Sequence, residues 1–261
     1  MFETLTLETD PRGVATLTLN RPDKHNAMSA QMITELTDAA TDLDASDARV
    51  VILTGTGKSF CAGGDLGWMK EQFAADRAGR MAEARRLADM LGTLNTLAKP
   101  LIGRIQGQAF GGGVGLMAVC DVAITTDDAL FGLTETRLGL IPATISPYVL
   151  ARMGEGKVRR VFMSARRFDA QEAVALNLAA KAVPAANLEA AMEAEIKPYL
   201  SAAPDAVARA KALVRALGPT IDAATIDDTI TRLVDAWESA EAQEGIAAFF
   251  EKRQPSWITG L

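Results

Sequence analysis

Hydrophobic positions along the first half of the chain alternate between short strand-like runs and longer helical stretches. Leu5–Leu7 and Val14–Leu19 read as strands joined by the turn Asp10-Pro11-Arg12-Gly13. Ser29 is placed to cap a helix whose apolar side carries Met32, Ile33, Leu36 and Leu43. Val50–Leu53 is an unbroken apolar run rich in β-branched residues, which predicts a buried strand. A helix is expected from Ala78 to about Leu97, ended by Lys99-Pro100. Strand-like Leu101–Ile105, a glycine-led apolar helix and strand-like Val122–Thr125 follow. This strand–helix–strand order predicts parallel pairing with helices outside the sheet.

After about Ala143 the pattern changes. Arg152–Arg160 and Asp169–Asn177 read as helices, and Lys181–Val183 as one short strand. From Pro184 onward the chain is alanine-rich and helical, with breaks expected at Pro198, Pro204 and Pro219. The division drawn from this is a mixed α/β part over residues 1–195 and a helical subdomain over 196–261.

Composition narrows the function classes. An apolar content of 49% supports a packed core, and 27 basic against 33 acidic residues give a net charge of −6. That balance argues against general binding to nucleic acid or to an anionic membrane. No run has the length and apolarity of a membrane span. Met1 is followed directly by strand-like Glu3–Leu7, with no leader-like segment, and the only cysteines, Cys61 and Cys120, lie far apart. A cytoplasmic, reducing compartment is therefore expected, without disulfides or a zinc site. His25 is the sole histidine, which leaves no serine-hydrolase triad and no histidine-based metal centre.

Two glycine-rich segments carry the candidate chemistry. Gly107-Gln-Ala-Phe110-Gly111-Gly112-Gly113-Val-Gly115 leads from a strand into a helix. Its first amides have no intrahelical acceptor, and the positive end of the helix dipole stands behind them. Such donors suit an anion or a developing oxyanion. The second segment, Phe60-Cys61-Ala62-Gly63-Gly64-Asp65-Leu66, also follows a strand and exposes backbone. Two lookalikes fail. Gly57-Lys58-Ser59 lacks the earlier glycine of a phosphate-binding loop, where Ile52 stands. Gly113-x-Gly115-x-x-Ala118 is followed too soon by the next strand for a dinucleotide site. Cys61, within the second segment, is a candidate reactive thiol, but no histidine can be assigned to activate it.

Together with Asn20-Arg-Pro22-Asp-Lys-His-Asn26-Ala27-Met28 near the start and Phe249-Phe-Glu-Lys252-Arg253 near the end, these segments resemble the crotonase (enoyl-CoA hydratase/isomerase) superfamily. The likeness spans nearly the whole chain in the expected order. It implies an α/β, ClpP/crotonase-like spiral of ββα units with a helical C-terminal trimerisation subdomain, as a trimer or a dimer of trimers. It also implies an acyl-CoA substrate, with coenzyme A as part of that substrate and no prosthetic group.

The resemblance assigns site residues. The amides of Ala62 and Gly112 would stabilise the thioester oxygen, and Glu135, in Phe131-Gly132-Leu-Thr134-Glu135, would be the catalytic carboxylate. Coenzyme A would lie along Lys24, His25, Ala62, Gly64, Asp65 and Leu66, with Phe249 and Lys252 reaching its nucleotide end from the same or a neighbouring subunit. One departure stands out. Two-glutamate hydratases carry a second glutamate where this chain has Gly115, which implies a pocket with less charge and more room. The string Glu135-Thr-Arg-Leu-Gly-Leu-Ile-Pro-Ala-Thr-Ile-Ser-Pro147-Tyr is most similar to the bacterial 3-methylglutaconyl-CoA and γ-carboxygeranoyl-CoA hydratases. A hydratase acting on such a carboxylated enoyl-CoA, in leucine or acyclic terpene catabolism, is the expectation, with Arg137 a candidate partner for the carboxylate. A single-glutamate Δ3,Δ2-enoyl-CoA isomerase, a thioesterase or decarboxylase, and a non-catalytic acyl-CoA or RNA-binding relative remain open.

Overall fold

The computed structural model describes residues 2–259. Its strands are β1 (Leu5–Thr9), β2 (Val14–Leu19), β3 (Val50–Gly55), β4 (Ser59–Cys61), β5 (Leu101–Ile105), β6 (Gln108–Phe110), β7 (Val122–Thr126), β8 (Leu130–Gly132), β9 (Arg167–Asp169) and β10 (Lys181–Val183). Its helices are α1 (Ala30–Ala45), α2 (Leu66–Ala74), α3 (Arg77–Thr96), α4 (Gly112–Val119), α5 (Ser146–Met153), α6 (Glu155–Phe162), α7 (Ala170–Ala175), α8 (Leu188–Ser201), α9 (Pro204–Leu217), α10 (Ala223–Trp237) and α11 (Ala240–Glu251).

Two sheets share the strands. The larger runs β1-β2-β3-β5-β7-β10, parallel except for the antiparallel β1–β2 pair. The smaller runs β4-β6-β8-β9, parallel until β9 reverses. Three times the chain places one strand in the large sheet and the next in the small one, as β3 then β4, β5 then β6, and β7 then β8. Each repeat advances one position in both sheets, which makes a spiral. Each short strand then ends at the same side of the small sheet and releases a loop there: Ala62–Asp65, Gly111 and Leu133–Thr134.

The large sheet is buried on both faces, as the continuous apolar runs require. Val51 and Leu53 join Leu17, Leu19 and the helices α1 and α3 in the main core. Val50 and Ile102 turn the other way and pack with Leu188, Met192 and Ile196 of α8. That burial explains two departures from the sequence reading. α8 continues through Pro198 to Ser201, because its apolar face is held on the sheet despite the lost amide. The boundary expected after residue 195 accordingly falls inside α8. The helix expected over Arg152–Arg160 is instead α5 and α6, divided at Gly154, whose φ of +77° no helix allows. By contrast, α9 buries no residue and is tethered by Lys211, which donates to Asp121 at 2.7 Å and to the Lys99 carbonyl at 3.0 Å.

The loop before α1 is fixed by a buried amide. Asn26, in the left-handed conformation at φ +54°, donates to the carbonyls of Thr56 and Ser59 at 2.8 Å each and accepts from the Arg21 amide at 2.9 Å. It thereby joins the β2–α1 loop to the β3–β4 connection. Substituting Asn26→Ala takes these partners from the Arg21 amide and the Thr56 carbonyl, removes one of two donors from the Ser59 carbonyl, which Gln106 also serves at 2.8 Å, and removes a side chain suited to that backbone. A loss of about 3 kcal/mol in stability is expected, measured as a shift in the denaturant midpoint at unchanged m-value.

Candidate active site

The loops released by β4, β6 and β8 meet around a cavity of about 340 Å³. Ala62, Gly64, Leu66, Gly112, Glu135 and Phe249 all contribute to its wall, so six of the residues singled out in the sequence converge on one space. Phe249 does so from its own chain. Helices α2 and α10 add Trp68 and Trp237. No sequence pattern marks α2; Asp65 starts it by accepting from the amides of Gly67 at 2.7 Å and Trp68 at 3.3 Å.

The amides around the cavity decide which can serve as donors. The Ala62 N–H is already committed to the His25 carbonyl at 3.0 Å. The assignment of Ala62 as an oxyanion donor is therefore corrected: its hydrogen bond holds two loops together and does not point into free space. Two residues on, the chain pairs with Met28 through the Gly63 carbonyl (2.8 Å) and the Asp65 amide (2.9 Å). That leaves the intervening Gly64 N–H without an acceptor among the described residues. The Gly112 N–H, first of α4, is equally unpartnered. Gly64 and Gly112 thus each present a bare amide on the wall of this cavity.

Gly111 sets the second of them. Its φ of +50° turns the chain from β6 into α4, while its own amide donates to the Gly132 carbonyl at 2.9 Å. A Cβ at Gly111 would come within 2.9 Å of Glu135 Oε1. The carboxyl group therefore lies directly beside the turn that presents the Gly112 amide.

Glu135 begins a 3-10 turn, Glu135–Leu138, after β8. The residue as a whole keeps some surface on the cavity wall, but its Oε2 is wholly buried and has no hydrogen-bond partner. Burial pushes its pKa from the ordinary 4.5 up to about 7, opposed only by its own backbone N–H. No other acidic side chain lines the cavity among the described residues. A carboxyl group in this state exchanges a proton near neutral pH, as a general acid or base must.

The position that distinguishes this chain from two-glutamate enzymes is also occupied differently than expected. Gly115 is buried, and a Cβ there would overlap the Ile145 side chain, with Ile145 Cβ itself at 3.0 Å. Ile145 lines the cavity and Gly115 does not. No vacant room stands beside Gly115: Ile145 fills the space a side chain there would take and makes that wall apolar.

Several expected contacts are not on the cavity wall. Lys24 and His25 are exposed beside it, and the His25 ring nitrogen Nδ1 is paired with Ser59 Oγ at 2.9 Å. The Asp65 carboxylate is spent on the α2 cap and on Arg21, at 3.0 Å. Lys252 is the left-handed cap residue of α11 and is exposed. Arg137 is off the wall; the cation that borders the cavity is Arg167, itself exposed, which no sequence pattern singled out. The Cys61 thiol is fully buried and pushed up to about 12 by desolvation, which removes it as a nucleophile. Among the described residues, no cluster of His, Cys, Asp and Glu is arranged to hold a metal, and no helix is long and apolar enough to cross a membrane.

Known proteins share this architecture and sequence. A family model described as enoyl-CoA hydratase/isomerase matches residues 9–260. A Mycobacterium bovis protein named probable enoyl-CoA hydratase echA8 is 35% identical over 264 residues, covering 98% of each chain. The crystal structure of an enoyl-CoA hydratase from Shewanella pealeana superposes with a TM-score of 0.81 at 39% identity, covering 98% of this chain and 97% of the other. Pseudomonas aeruginosa AtuE gives 0.80 at 37% identity, covering 98% and 100%. With bare glycine amides beside a lone buried glutamate, and a family match over nearly its whole length, the chain belongs to the enoyl-CoA hydratase/isomerase family.

Proposed function

We propose that the cavity binds the thioester of a 2-enoyl-CoA and adds water across its 2,3 double bond. The buried carboxyl group of Glu135, unpartnered at Oε2 beside the Gly112 turn and raised by burial to about 7, is the observation that carries this reading. In it, the thioester oxygen accepts from the Gly64 and Gly112 amides. Negative charge arriving on that oxygen as C3 is attacked is met by donors already in place, worth roughly 3–4 kcal/mol each in related acyl chemistry. Ionised Glu135 takes a proton from water as its oxygen bonds to C3. Protonated Glu135 then delivers that proton to C2, which collapses the enolate and restores the carboxylate. The atoms of one water are added and the protein is unchanged.

The substrate we propose is a branched, carboxylated enoyl-CoA such as 3-methylglutaconyl-CoA, which would place the reaction in leucine breakdown. Its CoA portion would run past the Ala62–Leu66 loop towards Lys24, His25 and Lys252, with Phe249 against it. The assembly we propose is a homotrimer or a dimer of trimers in the cytoplasm. The open Leu213, Val214 and Leu217 of α9 are the kind of apolar surface such contacts cover.

A second reading is supported by Ile145. An apolar side chain where another carboxylate would help to hold water also suits an isomerase, in which Glu135 alone moves a proton from C2 to C4. Pure protein incubated with 3-methylglutaconyl-CoA, crotonyl-CoA and 3-hexenoyl-CoA separates the two. Gain of one water by either 2-enoyl thioester supports hydration. An unchanged mass with both, and a rise in conjugated-enoyl absorbance from 3-hexenoyl-CoA, would replace it with isomerisation.

Glu135→Gln keeps the shape and removes the proton-transfer group. We expect kcat to fall by about 10²–10⁴ with KM little changed. For the wild type, kcat rises with pH through about 7, because the attacking base is the ionised form. Stability moves in the opposite direction. The folded-state pKa lies above the unfolded one, so the neutral carboxyl stabilises the fold below about 4.5, and that contribution disappears as pH rises through about 7. Glu135→Gln has no such loss. Its stability relative to wild type should increase by about 3 kcal/mol between acid and mildly alkaline pH, measured by denaturant unfolding at each pH.

A further inference from the structure

Among the described residues, one permanently charged side chain borders the cavity. Two arginines stand together where the chain enters β9: Arg166 just before the strand and Arg167 as its first residue. Arg166 is held by both oxygens of Glu172, at 2.7 Å each. Arg167 has neither a carboxylate partner nor a hydrogen-bond acceptor among the described residues, although it borders the cavity. Its guanidinium instead stands 5.4 Å from the centroid of the Phe110 ring. The intervening residue on β8 is Gly132, paired with both Phe110 and Arg167. A Cβ there would lie 3.3 Å from Phe110 Cδ1, so the bare backbone of Gly132 leaves the ring its place, and Arg167 reaches back over it.

The order of the small sheet gives this cation a direction. Its strands β4, β6, β8 and β9 present, in that spatial order, Gly64, Gly112, Glu135 and Arg167. Because β9 is antiparallel, its first residue lies level with the last residue of β8. All four groups therefore stand along one edge, with neighbouring strands about 4.8 Å apart. A thioester oxygen between the first two groups, with its reacting carbons at the third, points the rest of the acyl group towards the fourth.

We propose that Arg167 is the residue that binds a carboxylate at the far end of the acyl group, and so sets the preference between charged and uncharged acyl ends. The inference rests on the thioester placement given under Proposed function. An arginine stacked on an aromatic ring keeps its edge N–H groups free, and their fork matches the two oxygens of a carboxylate. Among the described residues the only other ionisable group on the wall is Glu135, which forms no ion pair with Arg167. The phosphates of coenzyme A are anions as well, but the substrate placement puts them on the β4 side, three strand spacings from β9.

Binding of two unreactive thioesters to the full-length protein tests this directly. Glutaryl-CoA ends in a carboxylate, and 5-methylhexanoyl-CoA carries an uncharged branch of the same shape on the same coenzyme. By titration calorimetry, Arg167→Gln should weaken glutaryl-CoA about tenfold or more while changing 5-methylhexanoyl-CoA by less than about twofold, with Arg167→Lys between wild type and Gln. Equal weakening of both ligands would overturn the proposal, because the guanidinium would then serve the coenzyme or the fold. No weakening of either would overturn it too. Neither ligand has a double bond, so the outcome does not depend on hydration; that reading fails separately if wild-type protein leaves glutaconyl-CoA unchanged in mass.

Discussion

Backbone lies directly against backbone where the β6–α4 turn meets the end of β4, and the site depends on that contact. A Cβ at Gly113 would overlap the Cys61 carbonyl, and one at Gly107 would overlap the carbonyl of Lys58. With hydrogens there instead, two successive turns of the spiral close to van der Waals distance, and the amides of Gly64 and Gly112 open onto one cavity. Neither amide can be paired within its own element: Gly112 is the first residue of a helix, and Gly64 lies between the two bonds that join its loop to Met28. Unsatisfied amides are costly inside a protein, and these two are tolerated because the cavity leaves them open to solvent or ligand.

The same packing sets the proton-transfer group. Gly111 gives Glu135 room beside the turn, and α11 holds the 3-10 turn from behind. A Cβ at Gly139 would lie 2.5 Å from the Glu241 carbonyl oxygen, and one at Gly245 2.6 Å from that of Leu138. This close seat keeps the carboxyl group in an apolar wall without a cation to hold it ionised. Desolvation raises the pKa, and the absence of any partner for Oε2 leaves that rise unopposed except by the residue's own amide. A second nearby carboxylate would have raised it further and divided the acid and base roles between two groups. Here one group must take both.

The long elements were legible in the sequence because each buries an extended, periodic face. Ser29 capping α1, the unbroken run of β3, and α3 ending before Lys99-Pro100 all follow from local chemistry. The small sheet was not legible. Its four strands have three residues each, too few for a period to emerge, and they exist because the large sheet positions them. The site followed the same division. Glycine runs and the lone glutamate stood out by composition, whereas Gly64 over Ala62 depended on which amide the His25 carbonyl had already taken. Arg167 was invisible because its role arises from the last strand of that small sheet.

Gly115 shows why the identity of a missing residue does not reveal what replaces it. Deleting a carboxylate from a cavity wall ordinarily suggests added volume, yet the space here belongs to Ile145, carried by a different segment. A methyl group at that point raises the cost of leaving any polar atom beside it unpaired, which favours a substrate that presents carbon there. Among the described residues, ionisable groups then remain at two places on the wall, Glu135 and Arg167, on adjacent strands of one sheet or directly after them. An acyl group that is apolar at its branch and anionic at its end would meet a matching surface at each point. The selectivity proposed for this cavity thus comes from what fills it, a buried methyl and an unpaired guanidinium, more than from the space that a lost glutamate would have left.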